Sequence, residues 1–87
     1  MNIIYVTAPW CQPCKSMKTI FIKFVEEQGD KITSRIVNAD EAVEVVVKYA
    51  INNVPTFIFE KDGEVVEKVV GIASLDRLRK IVAKYES

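Results

Sequence analysis

Histidine is absent from this chain and cysteine occurs only twice, at Cys11 and Cys14. A closed structural zinc site takes about four ligands, built from Cys and His. Only a dimer sharing a metal or cluster would complete such a set, so no metal is expected. Net charge is also missing: Lys+Arg and Asp+Glu are both 12 among 87 residues. That balance gives no reason to expect electrostatic capture of nucleic acid or an anionic membrane. Long apolar runs are lacking too. Ile3-Ile4-Tyr5-Val6 is far too short for a membrane span or a signal-peptide core, and Met1-Asn2 has no basic flank. The expected location is therefore cytoplasmic. Without repeats, low-complexity tracts or a linker, residues 1–87 read as one domain.

What is present is a hydrophobic fraction of 49%, enough for a packed core. Asn2–Thr7 is rich in Ile, Tyr and Val and reads as a buried strand. Ala8–Cys11 reads as a loop. A helix is predicted from Cys11–Pro13, because proline suits a first helical turn. Its apolar stripe is Met17, Ile20, Phe21, Phe24 and Val25, and Gly29-Asp30 ends it. Ile32–Asn38 reads as a second strand. Asp40 is then placed to cap a helix that buries Ala42, Val45, Val46 and Tyr49. After a turn at Asn52-Asn53-Val54-Pro55 come strands Thr56–Glu60 and Glu64–Val70, joined at Lys61-Asp62-Gly63. Gly71 breaks the pattern, and Ser74 caps a last helix carrying Leu75, Leu78, Ile81, Val82 and Tyr85. The order βαβαββα implies an α/β domain. Its first two strands run parallel and its hairpin is antiparallel, giving a mixed four-stranded sheet flanked by helices.

Cys11 and Cys14 enclose only Gln12-Pro13. A disulfide across so short a loop removes little chain entropy, so stapling is a poor reason for the pair. Chemistry is a better one. Cys11 falls at a helix N-terminus, where free N–H groups and the macrodipole favour a thiolate. The thiolate is the form that attacks a disulfide. Cys14, one turn further in and more buried, is placed to attack the resulting mixed disulfide, release the reduced substrate and close the Cys11–Cys14 bond. Pro13 stiffens the turn between the thiols.

The segment Trp10-Cys11-Gln12-Pro13-Cys14 resembles the WCGPC signature of the thioredoxin superfamily, with glutamine in place of glycine. Val54-Pro55-Thr56 looks like the loop whose proline is cis in that family. Gly71 looks like its substrate-groove glycine, and Lys15 is common after the second cysteine. The resemblance covers nearly the whole chain. It implies a thioredoxin fold shortened at its start, lacking the usual N-terminal strand and helix, as in small archaeal and phage members. It also implies a docking surface of Trp10, Gln12, Pro13, Val54, Pro55, Gly71 and Ile72. There an extended substrate segment would pair with the Val54 backbone beside the thiols. No cofactor is implied beyond the redox-active disulfide itself. The implied partners are protein disulfides and a thioredoxin reductase or other electron donor, with the chain a monomer.

Three further positions depart from the family pattern. Tyr5 stands where thioredoxins bury an aspartate thought to deprotonate the resolving thiol, and Ile36 stands where a lysine neighbours that acid. Neutral tyrosine is a poor base near neutral pH. Either the Tyr5 hydroxyl takes part of the hydrogen-bonding role, or Tyr5 is core packing. In the latter case Cys14 loses its proton through water, with electrostatic help from Lys15. Thr19 replaces a kinking proline, so the active-site helix is expected to run straighter.

Two other readings stay open. A glutathione-dependent glutaredoxin fits the short length and the missing acid. Against it stand the Gln12-Pro13 pair where glutaredoxins carry Pro-Tyr, and Gly71-Ile72 where they have a Gly-Gly turn; Asp76 is the one candidate for holding the glutathione amine. A thioredoxin-like accessory binding subunit, with dispensable thiols, is the other.

Overall fold

The run Asn2–Thr7 has β-branched residues on both faces, as a strand buried from both sides requires. It forms strand β1 at the centre of the sheet. The structure, a computed structural model, describes residues 1–86. Helix α1 spans Gln12–Gln28, followed by a 3-10 turn at Gly29–Lys31. Strand β2 is Thr33–Asn38, helix α2 Val43–Lys48, strand β3 Thr56–Lys61, strand β4 Glu64–Val70 and helix α3 Leu75–Glu86. The strands lie in the order β2-β1-β3-β4. β1 pairs parallel with β2 and antiparallel with β3, and β3 pairs antiparallel with β4. This is the expected βαβαββα arrangement.

Alternation along β1 divides the core in two. Ile3 and Tyr5 face α1 and α3, packing with Met17, Phe21, Phe24, Phe57, Phe59 and Leu78. Ile4 and Val6 face α2, packing with Val37, Val45, Ile51 and Ile58. The first cluster is aromatic. The Tyr5 ring stacks on Phe57 at 4.9 Å between centroids and meets Phe21 at 5.1 Å. Phe21 in turn contacts Phe24 and Phe57. These rings join α1 to the two central strands.

The helix ends follow local chemistry. Ser74 caps α3, its Oγ accepting from the Arg77 N–H at 3.1 Å. Gly29 closes α1 at φ +58°. The hairpin is tighter than the sequence suggests. Lys61 pairs with Glu64, leaving Asp62 and Gly63 as a two-residue turn with positive φ at both positions.

Helix α2 departs from expectation. It starts at Val43 after Ala42, with no side-chain cap, because Asp40 is occupied elsewhere. The Asp40 N–H donates to Asn38 Oδ1 in a local turn, and its carboxylate accepts from Trp10. The far end of α2 is held by Lys68 of β4, whose ammonium donates to the carbonyls of Tyr49 and Ala50. Those carbonyls would otherwise lack partners.

Truncating Phe57→Ala should cost about 3–5 kcal/mol, since it opens a cavity inside the aromatic cluster. Val65→Thr, on exposed β4, should change stability by less than about 0.5 kcal/mol. Urea unfolding of both variants beside the parent checks the contrast.

Candidate active site

The tip of β1 and the start of α1 bring the two cysteines together. After Thr7 the chain turns through Ala8-Pro9-Trp10, closed by the Cys11 N–H donating to the Ala8 carbonyl at 3.1 Å. Cys11 has extended backbone angles and is the N-cap of α1, with Pro13 in the first turn. The Cys14 N–H donates to Cys11 Sγ at 3.2 Å. That sulfur therefore sits where the helix presents an unpaired N–H, and no acidic side chain occupies the first turn. An anion there is stabilised by both the donor and the macrodipole.

Cys11 and Cys14 are joined by a disulfide, with Cα atoms 5.3 Å apart. The contrast drawn from sequence, an outer and an inner cysteine, is small in this oxidised form: Cys11 is 4% exposed and Cys14 2%. Both pack with Ala8 and Val54.

The Val54–Pro55 peptide is cis, and this loop lies against the disulfide. Thr56, wholly buried, ties the loop down by donating from Oγ1 to the Asn53 carbonyl. Gly71, at φ +94°, donates its N–H to the Pro55 carbonyl at 2.8 Å. Val54, Pro55 and Gly71 are thus brought to one place. Trp10 shares a groove of about 140 Å³ with Ala39, Val46, Ile51, Asn52, Asn53 and Val54. It is 69% exposed, yet its indole N–H donates to Asp40 at 3.1 Å, which fixes the ring. Ile72 is 66% exposed beside Gly71. Gln12 and Pro13 are exposed in the first turn of α1. Trp10, Gln12, Pro13 and Ile72 are therefore exposed, Val54 and Gly71 half-buried, and Pro55 is buried. Asp40, Asn53 and Thr56 were missed as contributors from sequence; the Val54-Pro55-Thr56 motif pointed at the last.

Lys15 lies elsewhere. It lines a second cleft, of about 240 Å³, with Thr7, Ala8, Pro9, Cys14, Lys18, Ile36 and Asn38. Among the described residues, no group of three or more His, Cys, Asp or Glu is placed to hold a metal.

Of the two readings of Tyr5, the structure shows core packing, with the hydroxyl turned to backbone. Its ring is core, and its hydroxyl donates to the Cys14 carbonyl at 2.7 Å. The contact is to backbone, so it fixes the helix start against the sheet. Burial pushes the phenol above its ordinary value, opposed more weakly by Thr7. A raised folded-state value makes Tyr5 stabilising at pH below its unfolded value of about 10. The contribution is lost as pH rises through the folded value. Tyr49 is shifted the same way, chiefly by the Glu60 carboxylate that accepts its hydroxyl. Tyr5→Phe should therefore lose about 1 kcal/mol at neutral pH. It should also show a shallower loss of stability at alkaline pH than the parent, as read by urea unfolding across pH.

Residues 1–84 match the family model described as Thioredoxin. The thioredoxin of Bacillus subtilis is 38% identical over 78 residues, which cover 90% of this chain and 75% of that protein. Among solved structures, mitochondrial thioredoxin 3 of Saccharomyces cerevisiae in its oxidised form superposes with a TM-score of 0.85 at 28% identity, covering 95% of this chain and 76% of that one. Oxidised thioredoxin O2 of Arabidopsis thaliana gives a TM-score of 0.84 at 26% identity, covering 99% and 75%. With its Cys11–Cys14 pair at a helix N-terminus, the chain belongs to the thioredoxin family of thiol–disulfide oxidoreductases.

Proposed function

We propose that this chain reduces protein disulfides, with Cys11 attacking and Cys14 resolving. The observation that carries the reading is Cys11 Sγ at the N-cap of α1, accepting the Cys14 N–H. The Cys11 thiolate attacks one sulfur of a substrate disulfide, and the other sulfur leaves as a thiolate. Cys14 then attacks Cys11 Sγ in the mixed disulfide. The second substrate sulfur leaves, and the Cys11–Cys14 bond forms. The substrate gains two electrons and the protein dithiol loses two.

Substrate docks on the rim of Trp10, Gln12, Pro13, Val54, Pro55, Gly71 and Ile72. Exposed apolar side chains beside a reactive group fit recognition of a protein segment. The pinned indole of Trp10 supplies contact area without the ordering cost of a free side chain. The partners are protein disulfides and a flavin-dependent thioredoxin reductase or comparable donor, with the protein working as a cytoplasmic monomer. Among the described residues, no helix is long and apolar enough to cross a membrane.

Insulin reduction tests the reading with two donors in parallel: NADPH plus a thioredoxin reductase, and NADPH plus glutathione and glutathione reductase. Turnover should appear with the first, and Cys11→Ser should fall to background. Turnover with the second donor alone would overturn the reading in favour of a glutaredoxin. Full activity in Cys11→Ser, Cys14→Ser within a larger assembly would favour an accessory subunit. Trp10→Ala should raise the KM for insulin about tenfold with little change in kcat, the signature of lost docking.

A further inference from the structure

The cleft on the Lys15 side of the disulfide lies away from the apolar rim and has a different chemistry. Its floor comes from the two strands under α1. In the parallel pairing of β1 with β2, Tyr5 stands opposite Ile36 and Thr7 opposite Asn38. Tyr5 belongs to the core face covered by α1, so Ile36 and Asn38 lie on the α1 side of β2. β2 is an edge strand, and Ile36 is left 45% exposed beside the helix. Thr7, Asn38 and Ile36 thus leave an opening of about 240 Å³ that reaches Cys14, and α1 places Lys15 and Lys18 along it. Lys18 is one helical turn beyond Cys14, on the same face.

Resolution of a mixed disulfide needs the Cys14 proton removed. The groups around that thiol are few. From β1 comes Tyr5, whose hydroxyl is spent on the Cys14 carbonyl. From β2 come Ile36 and Asn38, and from the cis-proline loop Val54, all uncharged. Asp40 is engaged with the indole of Trp10. From α1 come Lys15 and Lys18. Among the described residues no carboxylate lines the cleft, and its charged groups are these two lysines.

We infer that this cleft is the proton exit of Cys14, and that Lys18, seconded by Lys15, is a positioning residue that favours the resolving thiolate electrostatically in place of a resident base. The inference rests on the reading of Cys14 as the resolving thiol. The Cys14 S–H proton passes to water in the cleft. The thiolate left behind faces two ammonium groups, then attacks Cys11 Sγ and expels the substrate thiolate. An opposite charge several ångströms away at a partly solvated site shifts such an equilibrium by a modest factor, and salt weakens it.

Stopped-flow reaction of the reduced protein with dithiodipyridine, an uncharged disulfide, separates the steps. The first equivalent of thiopyridone reports attack by Cys11 and the second reports resolution by Cys14. At neutral pH and low salt, Lys18→Met should slow the second phase about threefold and Lys18→Glu about tenfold. The pH profile of that phase should move to higher pH, while the first phase stays within about twofold of the parent. Lys15→Met with Lys18→Met should slow resolution further, Lys18→Arg should restore it, and high salt should shrink every difference. A second phase in Lys18→Glu that follows the parent across pH would overturn the inference. So would equal slowing of both phases, which marks a general structural defect. Release of a single equivalent by the parent would overturn the underlying reading of Cys14 itself.

Discussion

The bond from the Tyr5 hydroxyl to the Cys14 carbonyl holds the active site to the rest of the molecule. Tyr5 stands on the central strand with its ring stacked on Phe57 of β3 and against Phe21 of α1. One side chain thus joins the sheet, the body of the active-site helix and the backbone of its first turns. The geometry at Cys11 depends on that registration, because the N–H aimed at its sulfur belongs to the same Cys14. A helix start free to slide on the sheet would carry both thiols away from the cis-proline loop. A phenol keeps its proton through the neutral range, so the donor persists there, and burial pushes its value further up.

From this anchor the surroundings of the disulfide are built by short backbone ties more than by burial. The Cys11 N–H closes the preceding turn on Ala8, Gly71 closes on Pro55, and Thr56 closes on Asn53. Each tie satisfies a group in a loop that would otherwise be wet and mobile. Gly71 adopts a φ of +94°, a conformation that favours glycine, and so lets the end of β4 reach the loop. The exposed indole of Trp10 gains order from Asp40 in the same way. Apolar side chains held by such polar ties, as proposed for the docking rim, keep their shape when no partner covers them.

Much of this was legible in the chain. The Ile-, Tyr- and Val-rich run Asn2–Thr7 marked the central strand, and helical spacing of Met17, Phe21 and Phe24 marked the face of α1 that the sheet buries. The cysteine pair with Pro13 identified the helix start, and Ser74 was read correctly as a cap. Asp40 was not. A residue of that type before an apolar stretch reads equally as a cap or as a turn, and only the position of Trp10 in space decides between them. Ala50 has a φ of +52° without being glycine or asparagine, so local sequence carries no sign of it. Its carbonyl is held by Lys68, far along the chain. Lys18 reads as an ordinary solvated helix residue. What places it beside Cys14 above a cleft is the pairing of Thr7 with Asn38 and Tyr5 with Ile36, a long-range fact.

The two flanks of the disulfide make unlike demands on the protein, and the fold separates them. Docking needs apolar area that sheds water when a substrate segment arrives. Proton loss from a covered thiol needs water that stays. Trp10 and Val54 stand on the first flank, and Thr7, Asn38 and the two lysines on the second, with Cys14 between. A segment seated on the rim would dehydrate Cys11 Sγ and favour its exchange without filling the opening that serves Cys14. A buried acid between the thiols and the core would do the same work from inside, at the cost of desolvating a charge. With tyrosine in that place the interior beneath the thiols carries a satisfied hydroxyl and no charge, and the charge that assists resolution stays on the solvent side. Placing the charge on the solvent side avoids that desolvation.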